Sequence, residues 1–249
     1  MRSFGRVKGR PLKPRQAQLV EALLPHLAVA AEGEIDVDAL FRAPEGGLDG
    51  AADRRHPAAT SQRIPLPAGS RRSAAPVVLE IGFGGGEHLA AQAPAHPDWR
   101  FIGAEPFLNG VGSCLRHIEE SGVTNVRLHH GDARELLARL PDASLDRVYI
   151  LFPDPWPKTR HWKRRLIQPD FIADLARLLK PGGDVRFATD WRHYAAWTLE
   201  LFTHDPRFTW TAERAADWRE PWAGHVATRY EQKRLGDCTP IFLRFLRRG

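Results

Sequence analysis

Three carboxylates, a run of glycines and an aspartate boxed by prolines fall in order along this 249-residue chain, each where an apolar stretch stops. The stretch VVLEIGFG (77–84) brings Glu80, then Gly82, Gly84, Gly85 and Gly86. Glycines after a strand permit a tight turn and let the backbone approach a ligand closely. Their spacing, G-x-G-G-G, departs from the G-x-G-x-x-G of dinucleotide-binding turns. The stretch RFIGAEP (100–106) ends at Glu105, about twenty residues on, where a carboxylate can accept both hydroxyls of a ribose. VRLHHGD (126–132) ends at Asp132, placed to reach an adenine amino group. Each acid alone would serve equally well as a helix N-cap; their order, one per strand end, is what points to a nucleoside.

No lysine or arginine accompanies these acids to hold a pyrophosphate. A nucleoside cofactor without phosphates is therefore expected, and S-adenosylmethionine fits where NAD, with phosphates facing Glu80, does not. The fourth apolar stretch, LDRVYILFPD (145–154), ends at Asp154 between Pro153 and Pro155, with Trp156 and Pro157 next. Prolines there forbid helix and fix the backbone, and Trp156 offers a face for a flat base. In an S-adenosylmethionine enzyme this strand end faces the methyl group. Five cations follow within eight positions: Lys158, Arg160, Lys163, Arg164 and Arg165, interrupted by His161 and Trp162. The prolines are expected to project this run outward.

These residues need a scaffold that gathers strand ends. From residue 76 onward short apolar runs alternate with helical periodicity: strands at 77–84, 100–106, 126–132, 145–154 and 184–190, helices near 86–95, 107–121, 133–140, 168–180 and 191–203. Two late runs, 207–213 and 239–248, add strands. KPGG (180–183) reads as a helix stop and a turn. Alternation of this length predicts an α/β fold, a mostly parallel sheet with helices on both faces, and ligands beyond its carboxyl edge. Residues 1–41 read as a basic extension with a short helix at 16–24, residues 42–75 as a linker or insertion rich in Ala, Gly, Pro, Ser and Arg, and 76–249 as the main domain.

Composition narrows the field. A 43% hydrophobic content supports a buried core, and a net charge of +6 leans towards a polyanionic partner. Two distant cysteines, Cys114 and Cys238, make neither a zinc site nor a disulfide framework. No run reaches the roughly 18 apolar residues of a membrane span, and the N-terminus is a poor signal peptide. A cytoplasmic protein without a metal is expected.

The motifs LEIGFGGGEHL, GAEP, GDA, FPDPWPKTRHWKRR, FATDW and TRYEQKRLGD together resemble the bacterial tRNA (guanine-N7)-methyltransferase family, over about residues 76–249 plus the basic RSFGRVKGR tail. The resemblance implies a Rossmann-like class I S-adenosylmethionine-dependent methyltransferase fold with a seven-stranded sheet. It implies that Glu80, Gly82, Gly84, Glu105, Asp132 and Asp154 bind S-adenosylmethionine, with Asp154 also at the reaction centre. It gives Lys158, Asp190, Thr228, Arg229, Tyr230 and Glu231 to the guanine-bearing substrate, and Arg160, His161, Trp162, Lys163, Arg164 and Arg165 to tRNA contact. The implied target is guanine 46 of the variable loop. Neither a monomer nor a homodimer is singled out.

The chemistry agrees. Guanine N7 keeps an in-plane lone pair and needs no deprotonation, so no His or Cys base is required. Alternatives are a nicotinamide oxidoreductase, disfavoured by the glycine spacing, a different S-adenosylmethionine enzyme, and a non-catalytic RNA-binding module, disfavoured by the full set of strand-end acids.

Overall fold

The computed structural model describes residues 9–42 and 75–249. Nearly all of the expected linker, and the first residues of the basic tail, lie outside that range. Among the described residues three short helices come before the sheet, α1 (Pro14–Ala22), α2 (Leu24–Leu27) and α3 (Val37–Leu40). Seven strands then form one sheet: β1 (Val77–Ile81), β2 (Arg100–Ala104), β3 (Val126–His129), β4 (Leu145–Leu151), β5 (Leu179–Thr189), β6 (Phe208–Trp210) and β7 (Ile241–Arg247), in spatial order β3-β2-β1-β4-β5-β7-β6. The first five run parallel; β7 is antiparallel to both β5 and β6. The connections are α4 (Glu87–Ala95), α5 (Leu108–Ser121), α6 (Ala133–Leu137), α7 (Pro169–Leu178) and α8 (Arg192–His204). Two short helices, α9 (Ala216–Arg219) and α10 (Arg229–Lys233), lie between β6 and β7.

Alternation along the strands divides the core in two. Leu79, Ile81, Ile102, Val148 and Phe187 face one side, packing with Leu136 of α6, Phe171 and Leu175 of α7 and Tyr194 of α8. Val78, Phe101, Leu128 and Tyr149 face the other, with Leu89 of α4, Val111 and Leu115 of α5 and Leu19 of α1. Every residue of β1 and β4 is buried, as expected of a parallel sheet covered on both faces.

Register gathers the strand ends. Ile81 pairs with Ala104 on one side and Ile150 on the other; Ala104 pairs with His129, and Ile150 with Phe187. Thr189, at the end of β5, pairs with Ile241, at the start of antiparallel β7. The segment entering β7 therefore arrives at the same edge as the ends of the parallel strands. Strand order reverses between β1 and β4, the switch point where such sheets bind ligands.

Two stretches differ from expectation. Residues 180–183 belong to β5: α7 stops at Leu178, and the register shifts between the pairs at Leu145 and Arg147 absorb the glycines. The basic run does not simply project. Thr159–Arg164 winds into a 3-10 turn, since no proline lies within 158–164 to prevent it.

Candidate active site

The turn after β1 is held open by backbone geometry. Gly82 and Gly84 have φ of 71° and 56°, a region where side-chain-bearing residues are strained. The Gly84 amide donates to Glu105 Oε2 at 2.8 Å, and the Phe107 amide donates to Oε1 at 2.9 Å. Glu105 is thus clamped by two N–H groups, one from the glycine turn and one from its own segment after β2. Burial raises its pKa, and those two hydrogen bonds partly offset the rise.

This turn forms one wall of a cavity of about 400 Å³ at the switch point. Gly82, Gly84, Glu105, Asp132 and Asp154 line it, with Phe107, Phe152, Trp156 and Tyr230 as aromatic walls. Asp132 also caps α6, its Oδ1 accepting from the Arg134 amide at 3.1 Å. Glu80 is set back from these carboxylates. It is an interior residue of β1, 2% exposed, and its Oε2 meets His88 Nδ1 at 2.7 Å behind the glycine turn.

Asp154 lies on a turn of unusual backbone. Phe152 and Trp156, on either side of it, adopt left-handed φ values of 51° and 42°, a conformation that costs about 1–3 kcal/mol per non-glycine residue and concentrates at functional sites. The Phe152 amide is tied to the Ala188 carbonyl at 2.7 Å. Asp154 stays open to the cavity, yet enough protein surrounds its carboxyl that burial raises its pKa.

The basic run divides. Lys158, Arg160 and Lys163 are exposed, while His161, Trp162 and Arg164 are half-buried. Arg164 lies over the Trp156 ring, 5.0 Å from its centroid. Arg165 turns inward, 2% exposed, and donates to the Pro155 carbonyl at 2.9 Å. It is thereby placed with the protein's own turn, away from the exposed cations.

At the far side of Asp154 stands the stretch entering β7. Thr228 caps α10 by accepting from the Glu231 amide at 3.2 Å, and Tyr230 reaches the cavity, packing on Phe152 at 5.6 Å between centroids. Arg229 is near Glu87, at 3.9 Å. Burial raises the Tyr230 pKa, and the charges of Asp190 and Asp154 add to the rise. Asp190 is buried; its Oδ2 accepts from the Gly236 amide at 2.8 Å, and its buried Oδ1 has no partner among the described residues.

Sequence reasoning missed Gly236, inside the quoted motif TRYEQKRLGD. A Cβ there would lie 2.0 Å from the Asp190 carbonyl oxygen, so only glycine lets this loop close on Asp190. It also missed His88 and His225, which face Glu80 and Glu231. A larger cavity, about 570 Å³, lies at the opposite edge against Val77, Asp38, Arg100 and Lys180. None of the strand-end acids line it.

A sheet of five parallel strands closed by an antiparallel pair, with an acid-lined cavity at the switch point, defines the class I S-adenosylmethionine-dependent methyltransferase fold. A solved point mutant of the 16S rRNA (adenine(1408)-N(1))-methyltransferase from Catenulisporales acidiphilia shares it, with a TM-score of 0.51 at 18% identity over 71% of this chain and 88% of that one. The family model described as "Putative methyltransferase" matches residues 74–242. A protein of Caulobacter sp. (strain K31) named tRNA (guanine-N(7)-)-methyltransferase is 51% identical over 99% of this chain and 95% of its own length. One of the same name from Hyphomonas neptunium is 46% identical over 98% and 99%. The chain belongs to the tRNA (guanine-N7-)-methyltransferase family. Among the described residues no helix is long and apolar enough to cross a membrane, and no group of three or more His, Cys, Asp or Glu could hold a metal ion.

Proposed function

We propose that this protein methylates N7 of guanine 46 in the variable loop of tRNA, using S-adenosylmethionine. The observation that carries the proposal is the position of Asp154: a strained, proline-fixed turn holds it in the cavity lining together with Tyr230, directly before the exposed cations.

The cavity suits the cofactor. Two amides hold Glu105 from the protein side, and its remaining lone pairs can accept ribose hydroxyls; Asp132 can take the adenine amino group. Gly82 and Gly84 leave space within 4 Å of where a Cβ would stand, which lets backbone approach the amino-acid end. When bound, S-adenosylmethionine supplies a methyl group on a cationic sulfonium. The chain's own contribution is positional and electrostatic. Asp154 orients the approach and offsets the positive charge that passes to the purine. It need not remove a proton, because the N7 lone pair is already free. The unpartnered Asp190 Oδ1 can accept from guanine N1–H or the exocyclic amine, an edge that adenine lacks. The Glu231 Oε2 is already taken by His225, so Asp190 is the stronger candidate for reading the base.

Lys158, Arg160, Lys163 and Arg164 then contact phosphates, supplying affinity with little base specificity. In the same proposal residues 76–249 are the catalytic unit, 1–41 a basic extension, 42–75 a linker, and the compartment the cytoplasm. The test is incubation with labelled S-adenosylmethionine and an unmodified tRNA transcript, followed by mapping of the methylated base. Label at any atom other than guanine 46 N7 would overturn it.

A further inference from the structure

Behind the cavity two histidine–carboxylate pairs stand back to back. His88, in the first turn of α4, meets Glu80 of β1 at 2.7 Å through Nδ1. That contact clasps the two ends of the glycine turn, since Glu80 precedes it and His88 follows it. His225, in the loop before α10, meets Glu231 Oε2 at 2.8 Å through Nε2. The two imidazole centroids are 5.9 Å apart. Their side chains are 0% and 4% exposed, and those of Glu80 and Glu231 are 3% and 15%.

The carboxylates fix the tautomers. An ionised carboxylate only accepts, so His88 carries a proton on Nδ1 and His225 on Nε2. The opposite nitrogens, His88 Nε2 and His225 Nδ1, are both buried with no partner among the described residues. In neutral rings both are acceptors, and a buried unpaired acceptor is unfavourable. A water between the rings, donating one hydrogen to each, would satisfy both at once. The surroundings suit such an arrangement. Tyr149 stands edge-on to His88 at 4.6 Å and Trp222 edge-on to His225 at 5.6 Å, with Trp222 Nε1 also buried and unpartnered among the described residues. The Arg186 guanidinium lies over both of those rings, at 5.7 and 5.5 Å. Gln92 of α4 donates to the Gly224 carbonyl at 2.7 Å, so a second contact pins the same loop to the same helix.

We propose that Glu80–His88···His225–Glu231 is a bridge coupling the cofactor turn to the stretch that receives tRNA, so that filling the cofactor cavity strengthens tRNA binding and the reverse. His88 and His225 are positioning residues in it: neither lines the cavity, and each acts through the carboxylate it holds. The inference rests on the proposed function only in assigning Thr228–Glu231 to the substrate. By thermodynamic reciprocity, each ligand must then raise the affinity for the other by the same factor.

The test measures binding. The dissociation constant of S-adenosylhomocysteine is determined by calorimetry with and without an unmodified tRNA transcript, in the full-length protein. His88→Asn keeps a donor where Nδ1 stood and removes Nε2; His225→Gln keeps a donor where Nε2 stood and removes Nδ1. Both therefore preserve the local carboxylate contact and sever the bridge. The wild type should show a ratio of about fivefold or more, within the usual range for coupled sites. Both variants should fall below about twofold while each ligand alone binds within about twofold of wild type. His225→Phe, which also breaks the Glu231 contact, should in addition weaken tRNA binding alone, and His225→Gln should restore it. A wild-type ratio of one, or a wild-type ratio retained in the variants, overturns the proposal. Should His88→Asn fail to fold, His225→Gln at the outer loop decides alone. Methylation at a base other than guanine 46 would sink the proposed function and leave the coupling ratio to be judged by itself.

Discussion

Arg165 Nε donates to the carbonyl of Pro155 at 2.9 Å, and its guanidinium lies over the rings of Tyr194 and Trp197 at 4.9 and 5.4 Å. The last cation of the basic run thus braces the turn that carries Asp154. Removing it would leave a half-buried carbonyl short of a donor and the aromatic wall without its cation, a loss of roughly 1–3 kcal/mol. Arg165→Ala should accordingly lower Tm and kcat together, with little change in the salt dependence of tRNA affinity. A variant with native Tm and altered salt dependence would instead make Arg165 a phosphate contact.

Asp154→Ala should abolish methyl transfer and leave the fold intact. Its side chain faces the cavity and makes none of the contacts that hold the sheet together. Circular dichroism and S-adenosylhomocysteine titration accompany the activity assay. Turnover near the wild-type rate would remove Asp154 from the reaction centre.

The same carboxyl sets a pH dependence. Burial raises the Asp154 pKa, and its proposed role requires the ionised form. Activity is therefore present above the folded-state pKa and lost as pH falls through it, at a higher pH than for an ordinary aspartate. The sign for stability is opposite: a carboxyl raised on folding disfavours the native state when ionised, and that cost is relieved on acidification. A profile of kcat/KM against pH whose acid limb sits at or below the usual aspartate range would contradict this.

The strand-end acids were legible because a parallel sheet sends the carboxyl ends of its strands to one edge, whatever the details. Glu105, Asp132 and Asp154 needed only that rule. Glu80 shows where the rule stops: it stands inside β1, where side chains alternate between faces, and the face it takes belongs to α4 and His88. Arg165 was misleading for another reason. Its partners on α8 lie about thirty residues further on, and a run of like charges gives no sign of which member will be buried. That Tyr230 reaches the cavity depends on the antiparallel reversal of β7, which brings the chain back to the carboxyl edge. The resemblance supplied that placement; periodicity alone did not.

Glu105→Ala should weaken S-adenosylmethionine binding by about 1–3 kcal/mol, because it removes the acceptor for the ribose and leaves the amides of Gly84 and Phe107 without their acceptor. Those amides also hold the turn, so the entire glycine wall should loosen and hydrogen exchange at 82–86 should rise. An unchanged dissociation constant would mean that the ribose lies elsewhere.

The final prediction separates the exposed cations from Arg165. Replacing Arg160, Lys163 and Arg164 with alanine should raise the KM for tRNA by far more than it weakens S-adenosylhomocysteine binding, which Lys163 and Arg164 touch only as members of the cavity lining. For every phosphate no longer neutralised, the slope of log affinity against log salt should fall by roughly 0.7–0.9, the value expected from counterion release on single- and double-stranded nucleic acid. Arg160 and Lys163 are exposed on the 3-10 turn beside the cavity mouth, so both should contribute in full. Arg164 lies against Trp156, so part of its effect should appear as a change in the cavity wall, read by Trp fluorescence, and less in the slope. A solvated turn without a substrate role would leave the slope untouched, because cations that meet no phosphate release no counterions from the tRNA. If slope and affinity in the triple variant match the wild type, the tRNA docks on another surface, and truncation of the basic residues before 16 becomes the experiment that locates it.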